Sequence, residues 1–150
     1  MITAEQVKEL REATGIGVSE CKKALEEALG DMEKARELLA QKAGAVAQKK
    51  SDRVLRAGAI AAYVHNTGQV GAMVLLSCET DFVSKNEEFS ELAKNIAMHA
   101  AAMKPADLES LLKEAYIKDP GKTVADLVSA ATQKFGERIE ITEFSCFSVK

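Results

Sequence analysis

The sequence predicts an α+β protein, in which an N-terminal three-helix unit is followed by a three-stranded antiparallel sheet packed with helices. Two observations lead to this fold class. Up to about residue 40, apolar residues recur every three or four positions between helix start and stop signals. After residue 56 the pattern changes to two β-rich runs around a turn, then further helical periodicity, and finally an alternating strand.

Each of the first three helices has its own boundary signal. Thr3 and Gln6 predict a capping box, and Asp31 is a good N-cap for the third helix. Gly30 is expected to end the second helix, because glycine adopts the left-handed conformation common at helix C-termini. The apolar positions expected to share one small core are Val7, Leu10, Val18, Cys21, Leu25, Ala28, Leu29, Met32, Ala35, Leu38 and Leu39.

A basic segment over 41–56 separates the helical unit from the rest. It predicts a helical extension that runs into a linker, with the domain boundary between 1–52 and 53–150. Such a segment is more often a solvated surface than a docking patch for an acidic partner, and the sequence leaves both open. Its cations are Lys42, Lys49, Lys50, Arg53 and Arg56, and its one acid is Asp52.

The second domain is predicted to take its sheet from 57–65, 70–79 and 138–144. The turn signal at 66–69 joins the first two runs into a hairpin. The second run is apolar on both faces, which favours a central strand with helices over at least one side.

Further helices are expected between the second and third strands. Ser84 and Glu87 predict a capping box that opens a long helix, and Pro105 marks its end. Two shorter helices are expected over 106–117 and 123–135, separated by a proline and a glycine.

Composition and charge exclude several classes of function. A formal net charge of -3 provides no global basic field of the kind that dominates nucleic-acid binding, which leaves only a local basic patch for such a role. Charged residues near the N-terminus interrupt any signal-peptide core, and no run approaches the ~18 apolar residues of a membrane span. We therefore expect a cytoplasmic protein without membrane contact. The three cysteines, Cys21, Cys78 and Cys146, are too widely spaced for a disulfide framework and are expected to be free thiols.

The sequence also lacks the motifs of a catalytic, cofactor or metal site. Gly15 and Gly17 stand between helices without the lysine of a phosphate-binding loop. His65 and His99 are single residues on different elements, with neither a paired metal ligand nor a neighbouring nucleophile. We expect no enzymatic activity, no cofactor and no metal.

The segment 80–83, Thr80-Asp81-Phe82-Val83, connects the apolar strand to the long helix and allows two interpretations. In one, Phe82 packs under the helix while Asp81 accepts hydrogen bonds from backbone amides near the helix start. In the other, Phe82 is exposed on a loop held by a rigid scaffold and binds a partner. The residues alone do not decide between them.

Nearly the whole chain resembles the elongation factor Ts family. The matched segments are 7–17, 20–25, 30–31, 63–71, 78–83, 93–101 and 135–139, of which the Thr-Asp-Phe-Val signature at 80–83 is the most specific. The resemblance implies an N-terminal domain that folds like a ubiquitin-associated domain. It also implies one α+β half-core where long members of the family have two, and therefore a short member that forms a homodimer.

The resemblance implies a guanine nucleotide exchange factor of translation elongation. Asp81 and Phe82 would enter the GTPase domain of elongation factor Tu near its magnesium and phosphate site and promote GDP release, so that GTP can rebind. Thr80 and Val83 belong to the same partner-binding loop. The other matched contact positions are Arg11, Val18 and Ser19 on the N-terminal face that docks on the same domain, together with His65 and Lys50.

Two other functions remain as alternatives. A ubiquitin-associated-type adaptor would bind some other protein through residues 1–40 without exchange activity. A small RNA-binding α+β domain is less compatible, because the first two strands lack interleaved aromatic and basic side chains. In the homodimer, the hairpin sheets or the last strand would pair across a two-fold axis, and Cys146 could approach its symmetry mate.

Overall fold

A computed structural model describes residues 1–149. The elements are α1 (Ala4–Thr14), α2 (Val18–Glu27), α3 (Met32–Lys49), β1 (Ala57–Val64), β2 (Val70–Cys78), α4 (Asp81–Ser84), α5 (Glu87–Met103), α6 (Leu108–Lys113), β3 (Ala115–Tyr116), β4 (Asp119–Thr123), α7 (Val124–Phe135) and β5 (Glu140–Ser148). The predicted fold class, N-terminal helices followed by a three-stranded antiparallel sheet with helices, is confirmed.

The first three helices pack around a core of their own. The predicted capping box is present, since Thr3 Oγ1 accepts from the Gln6 amide and the Gln6 side chain accepts from the Thr3 amide. Asp31 caps α3, and Gly30 has the left-handed φ of 85° expected after a helix end. The buried core residues are Val7, Leu10, Ile16, Cys21, Ala24, Leu25, Ala28, Ala35 and Leu39.

Two residues expected in this core lie outside it. Val18 is 53% exposed and Leu29 is 94% exposed. Val18 is the first residue of α2, and Leu29 follows the end of α2 with a positive φ of 54°, outside the helical periodicity. The expectation of burial is therefore wrong at both positions, because Leu29 lies outside the helix and Val18, in the first turn of α2, lines a surface groove.

The main sheet has the order β1-β2-β5, with β2 in the centre as its apolar sequence predicts. Both neighbours of β2 are antiparallel to it. A register shift between Leu75 and Leu76 interrupts the pairing with β5. The third strand was expected over 138–144 and instead spans Glu140–Ser148.

Helix α5 covers one face of the sheet. Phe89 and Ile96 of α5 and Val74 and Leu76 of β2 are fully buried there. Cys146 also faces this side, because its Sγ donates to the carbonyl of Ala100 at 3.4 Å.

On the opposite face of the sheet most side chains are exposed, although Leu75 is half-buried and Ser77 is buried. We call it the open face, and its exposed apolar members are Ile60, Ala62, Val64, Met73 and Phe147. Cys146 points away from the open face, towards α5.

The segment before α5 differs from the prediction. Residues 81–84 form the single turn α4, and Ser84 Oγ donates to the Asp81 carbonyl. Asn86 is the N-cap of α5, with its side chain accepting from the Glu88 amide at 2.8 Å. The predicted Ser84–Glu87 capping box is therefore wrong, because Asn86 supplies a cap next to the first helical residue.

The region 106–123 is less helical than expected. Helix α6 ends at Lys113, and β3 pairs with β4 in a two-stranded ribbon. Pro120 and Gly121 fall within β4, where only a break between helices was expected.

Helix α3 continues past the N-terminal core and packs along α7. Ala43, in its second half, is buried, and Lys50 Nζ donates to the Gly136 carbonyl at 3.1 Å. Gly15, in the α1–α2 turn, lies so close to Lys134 of α7 that a Cβ there would be 3.1 Å from its side chain. The N-terminal helices thus contact the rest of the protein directly, and the expected boundary at residue 52 falls in the connection between α3 and β1. Within residues 1–149, no helix is long and apolar enough to cross a membrane.

Candidate functional site

The turn α4 places Phe82 outside the protein. Phe82 is 91% exposed, whereas its neighbour Val83 is 8% exposed and belongs to the main core. Successive side chains of a helical turn point in directions about 100° apart, so burial of Val83 directs Phe82 towards solvent. Of the two interpretations of this segment, packing of Phe82 under the helix is wrong.

The backbone of this turn is well connected. The Ser84 and Lys85 amides donate to the carbonyls of Thr80 and Asp81 at 3.2 and 3.0 Å. The buried thiol of Cys78 also donates to the Thr80 carbonyl, at 3.3 Å. The exposed ring of Phe82 therefore lies on a hydrogen-bonded turn that contains the buried Val83 and contacts the buried Cys78.

The carboxylates of Glu79 and Glu137 connect the loop of residues 79–83 to the residues that precede β5. Glu137 accepts three hydrogen bonds from the loop: from the amides of Glu79 and Thr80 at 3.1 and 2.9 Å, and from Thr80 Oγ1 at 2.6 Å. In return, Glu79 accepts from the Arg138 amide at 2.7 Å and lies 3.5 Å from the Arg53 guanidinium. We call these four residues, Arg53, Glu79, Glu137 and Arg138, the carboxylate clasp.

The charges around the loop favour binding over nucleophilic chemistry. Burial raises the pKa of the Cys78 thiol above its ordinary value, and the negative charges of Glu137 and Asp81 act in the same direction. The nearest cysteine is therefore a neutral thiol at physiological pH and a poor nucleophile. Asp81 is exposed, and within residues 1–149 its carboxylate forms neither a hydrogen bond nor an ion pair in the structure, so its charge is available to a partner.

The N-terminal face predicted to bind a partner is also exposed. Arg11, Val18 and Ser19 are all solvent-accessible. A groove between α1 and α2 has Arg11 and Val18 in its lining, together with further apolar side chains and cations. It is lined by Ile2, Thr3, Ala4, Val7, Lys8, Arg11, Val18 and Lys22.

Side-chain contacts connect the N-terminal face and Lys50 to the end of the molecule where the loop of residues 79–83 lies. The α1–α2 turn lies against Lys134, which forms an ion pair with Glu88 in the first turn of α5. Lys50 donates to Gly136, the residue before Glu137 of the clasp. The structure therefore brings Lys50 and the α1–α2 turn to the same end of the molecule as Phe82.

His65 lies at the other end of the sheet. It follows β1 at the hairpin turn, where its Nδ1 is 3.1 Å from the Tyr63 hydroxyl. The length of β2 separates this turn from the loop, and at ~3.3 Å per residue the nine residues of β2 span roughly 26 Å. Within one copy of the chain, His65 and Phe82 do not form a common site.

Sequence reasoning missed the carboxylate clasp. Glu137 lies 57 residues from Thr80 in the chain, and no local motif relates them. The available signal was position: Glu79 follows β2, Glu137 precedes β5, and these ends meet because the two strands are antiparallel neighbours.

The described residues do not hold a metal site. No group of three or more histidine, cysteine, aspartate or glutamate side chains within residues 1–149 is arranged to bind a metal ion.

Comparison with known proteins assigns the signature to a family. Residues 79–150 match the family model described as "Elongation factor TS". The chain is 48% identical over 148 residues to Elongation factor Ts of Clostridium acetobutylicum, covering 99% of this chain and 48% of that protein. It is 45% identical over 150 residues to Elongation factor Ts of Clostridium tetani, covering 49% of that protein.

A third relative is closer in length. Elongation factor Ts of Carboxydothermus hydrogenoformans is 39% identical over 194 aligned positions, which cover 99% of this chain and 89% of that protein. The chain thus spans about half the length of the two Clostridium relatives and most of the length of the third.

Proposed function

Because the chain belongs to the elongation factor Ts family, we propose that it is a guanine nucleotide exchange factor of translation elongation. In this proposal it binds elongation factor Tu in its GDP form, in the cytoplasm, and promotes GDP release so that GTP can rebind. The observation that carries the proposal is the exposure of Phe82 on a rigid turn in the family signature.

The proposed action of the loop follows from its geometry. Phe82 projects beyond the surface while Val83 anchors the turn in the core. The ring can therefore enter a partner while the turn α4 that carries it stays folded. Burying a phenylalanine side chain gains about 1.5–3 kcal/mol. Asp81 places a negative charge beside the ring, where it would disturb a site that holds magnesium and phosphate.

Exchange of this kind requires no covalent chemistry. A factor that binds the nucleotide-free partner more tightly than the GDP form must, by linkage, be weakened by GDP to the same degree. Coupling of this type is commonly about 1–3 kcal/mol, which is the size of the gain available from one buried aromatic ring. The protein would therefore act as a binding factor and not as an enzyme.

The α1–α2 groove is the proposed docking surface. Its apolar side chains and its cations Lys8, Arg11 and Lys22 would fit an amphipathic helix with acidic residues on the GTPase domain. Val18, Ser19 and Lys50 would extend this contact towards the loop. In this division of roles the groove supplies affinity and the loop drives release.

We further propose a homodimer formed through the open face. The exposed apolar residues of this face form a cluster at the hairpin end of the sheet, while the polar Glu143 and Ser145 lie beside Leu75 and Met73. A second copy with the same face would cover the apolar cluster by isologous packing. The half-core of one copy would then stand beside that of the other, as the family resemblance implies. In that dimer, the His65 that contacts elongation factor Tu would belong to either of the two copies of the chain.

The test is release of fluorescent GDP from elongation factor Tu in the presence of excess unlabelled nucleotide. We expect the chain to accelerate release in a concentration-dependent, saturable manner. Binding in a pull-down without acceleration would favour the adaptor alternative. Absence of both binding and acceleration would refute the proposal altogether.

A further inference from the structure

We infer that Glu137 is a positioning residue, which holds loop 79–83 in its binding conformation before the partner is met. This inference rests on the proposed function of Phe82. It adds a residue that never touches the partner and acts only through the loop.

The hydrogen bonds of Glu137 converge on the residues just before α4. One carboxylate accepts both consecutive amides, of Glu79 and Thr80, and the Thr80 hydroxyl. Hydrogen bonds to an ionised acceptor are roughly twice as strong as neutral ones. Thr80 precedes α4 as its N-cap residue but forms no side-chain cap, because its hydroxyl is directed to Glu137 instead.

These bonds are not needed to satisfy buried groups. Thr80 is exposed and Glu79 is half-buried, so water could hydrate their amides if the carboxylate were removed. These hydrogen bonds instead restrict the conformation of the loop. Val83 fixes the loop on the C-terminal side of Phe82, and Glu137 fixes it on the N-terminal side.

Order matters here because α4 is a single turn of four residues. One helical turn is unstable by itself, since its nucleation fixes several backbone angles for few hydrogen bonds. If the loop were ordered only on binding, the loss of conformational entropy would oppose insertion of Phe82. A loop ordered in advance avoids that cost.

Arg53 and Arg138 of the carboxylate clasp connect the loop to the segment between α3 and β1. Arg138 donates from its amide to Glu79 and from its guanidinium to the Arg53 carbonyl. Arg53 in turn reaches Glu79. The residues that follow α3 are thereby held next to the loop that would act on the partner.

The experiment compares Glu137→Ala, Glu137→Gln and the control Glu109→Ala, whose exposed carboxylate forms a surface ion pair with Lys113. In the free protein we expect Glu137→Ala to increase hydrogen exchange of the Glu79 and Thr80 amides by about tenfold or more. In the GDP-release assay we expect the maximal rate to fall about tenfold while the half-saturating concentration stays within about twofold, because docking on the groove is unchanged. Glu137→Gln keeps an oxygen acceptor and should recover most of the rate, and Glu109→Ala should match the wild type.

A double-variant cycle separates positioning from a general loss of structure. Once Phe82 is replaced by alanine, Glu137 has no ring left to position and only Asp81 still acts from the loop, so adding Glu137→Ala to Phe82→Ala should slow GDP release by much less than the roughly tenfold it costs in the wild type. Additive effects, or a Glu137→Ala variant with wild-type kinetics beside an inactive Phe82→Ala, would overturn the inference and leave the proposed function standing. If Phe82→Ala is fully active, the proposed role of the loop fails, and with it the inference that Glu137 serves exchange. The amide measurement then still reports whether Glu137 orders the loop.

Discussion

Replacing Phe82 by alanine should separate activity from stability. The ring is 91% exposed, so its removal takes little apolar surface out of the core. Exposed substitutions of this kind usually change the free energy of unfolding by less than ~0.5 kcal/mol. In the partner, the same ring would be buried, and its loss removes about 2 kcal/mol of binding free energy, or about a thirtyfold effect.

Phe89 provides a matched control seven residues further along the chain. It is fully buried in the main core and makes an edge-to-face contact with Phe135, with ring centroids 6.2 Å apart. Phe89→Ala should lower the free energy of unfolding by about 3–5 kcal/mol, because it leaves a cavity in the core.

The measurements are thermal unfolding by circular dichroism and GDP-release kinetics for both variants. We expect Phe82→Ala to unfold at the wild-type temperature and to release GDP about thirtyfold more slowly at equal concentration. Phe89→Ala should unfold at a clearly lower temperature, with normal activity per folded molecule. If Phe82→Ala unfolds early while its activity per folded molecule is unchanged, the assignment of Phe82 to the partner is refuted.

The remaining predictions concern other parts of the protein. Met73→Glu, in the centre of the open face, should convert the proposed homodimer to a monomer in light scattering and reduce exchange activity, whereas Phe82→Ala should stay dimeric; a monomeric wild type with full exchange activity would contradict the proposed dimer. Leu29→Gly should raise the free energy of unfolding by up to about 1 kcal/mol, because Leu29 adopts a φ of 54° with an exposed side chain, and a lower melting temperature would contradict this. A fragment of residues 1–50 should be helical by circular dichroism, because its helices share their own core, yet give no GDP release, since loop 79–83 is absent; release by the fragment would refute the division of roles between groove and loop.

The sequence by itself determined the features that depend on near neighbours. The Thr3–Gln6 capping box, the Asp31 N-cap and the turn that joins β1 to β2 all involve residues within a few positions of each other. Each depends on interactions that form inside one helical turn or one hairpin, so residue type and spacing were sufficient to predict them. The apolar sequence of β2 likewise placed it in the centre of the sheet.

Tertiary structure decided the features that depend on distant residues. Whether Phe82 is buried or exposed follows from the anchoring of Val83 in a core built by α5 and the sheet. Likewise, no local pattern relates Glu137 to the loop from which it accepts hydrogen bonds. The open face is another such feature, because the sequence of β1 does not say which face α5 will cover. A side chain's exposure depends on what packs against it, and those partners come from elements that only the folded chain brings together.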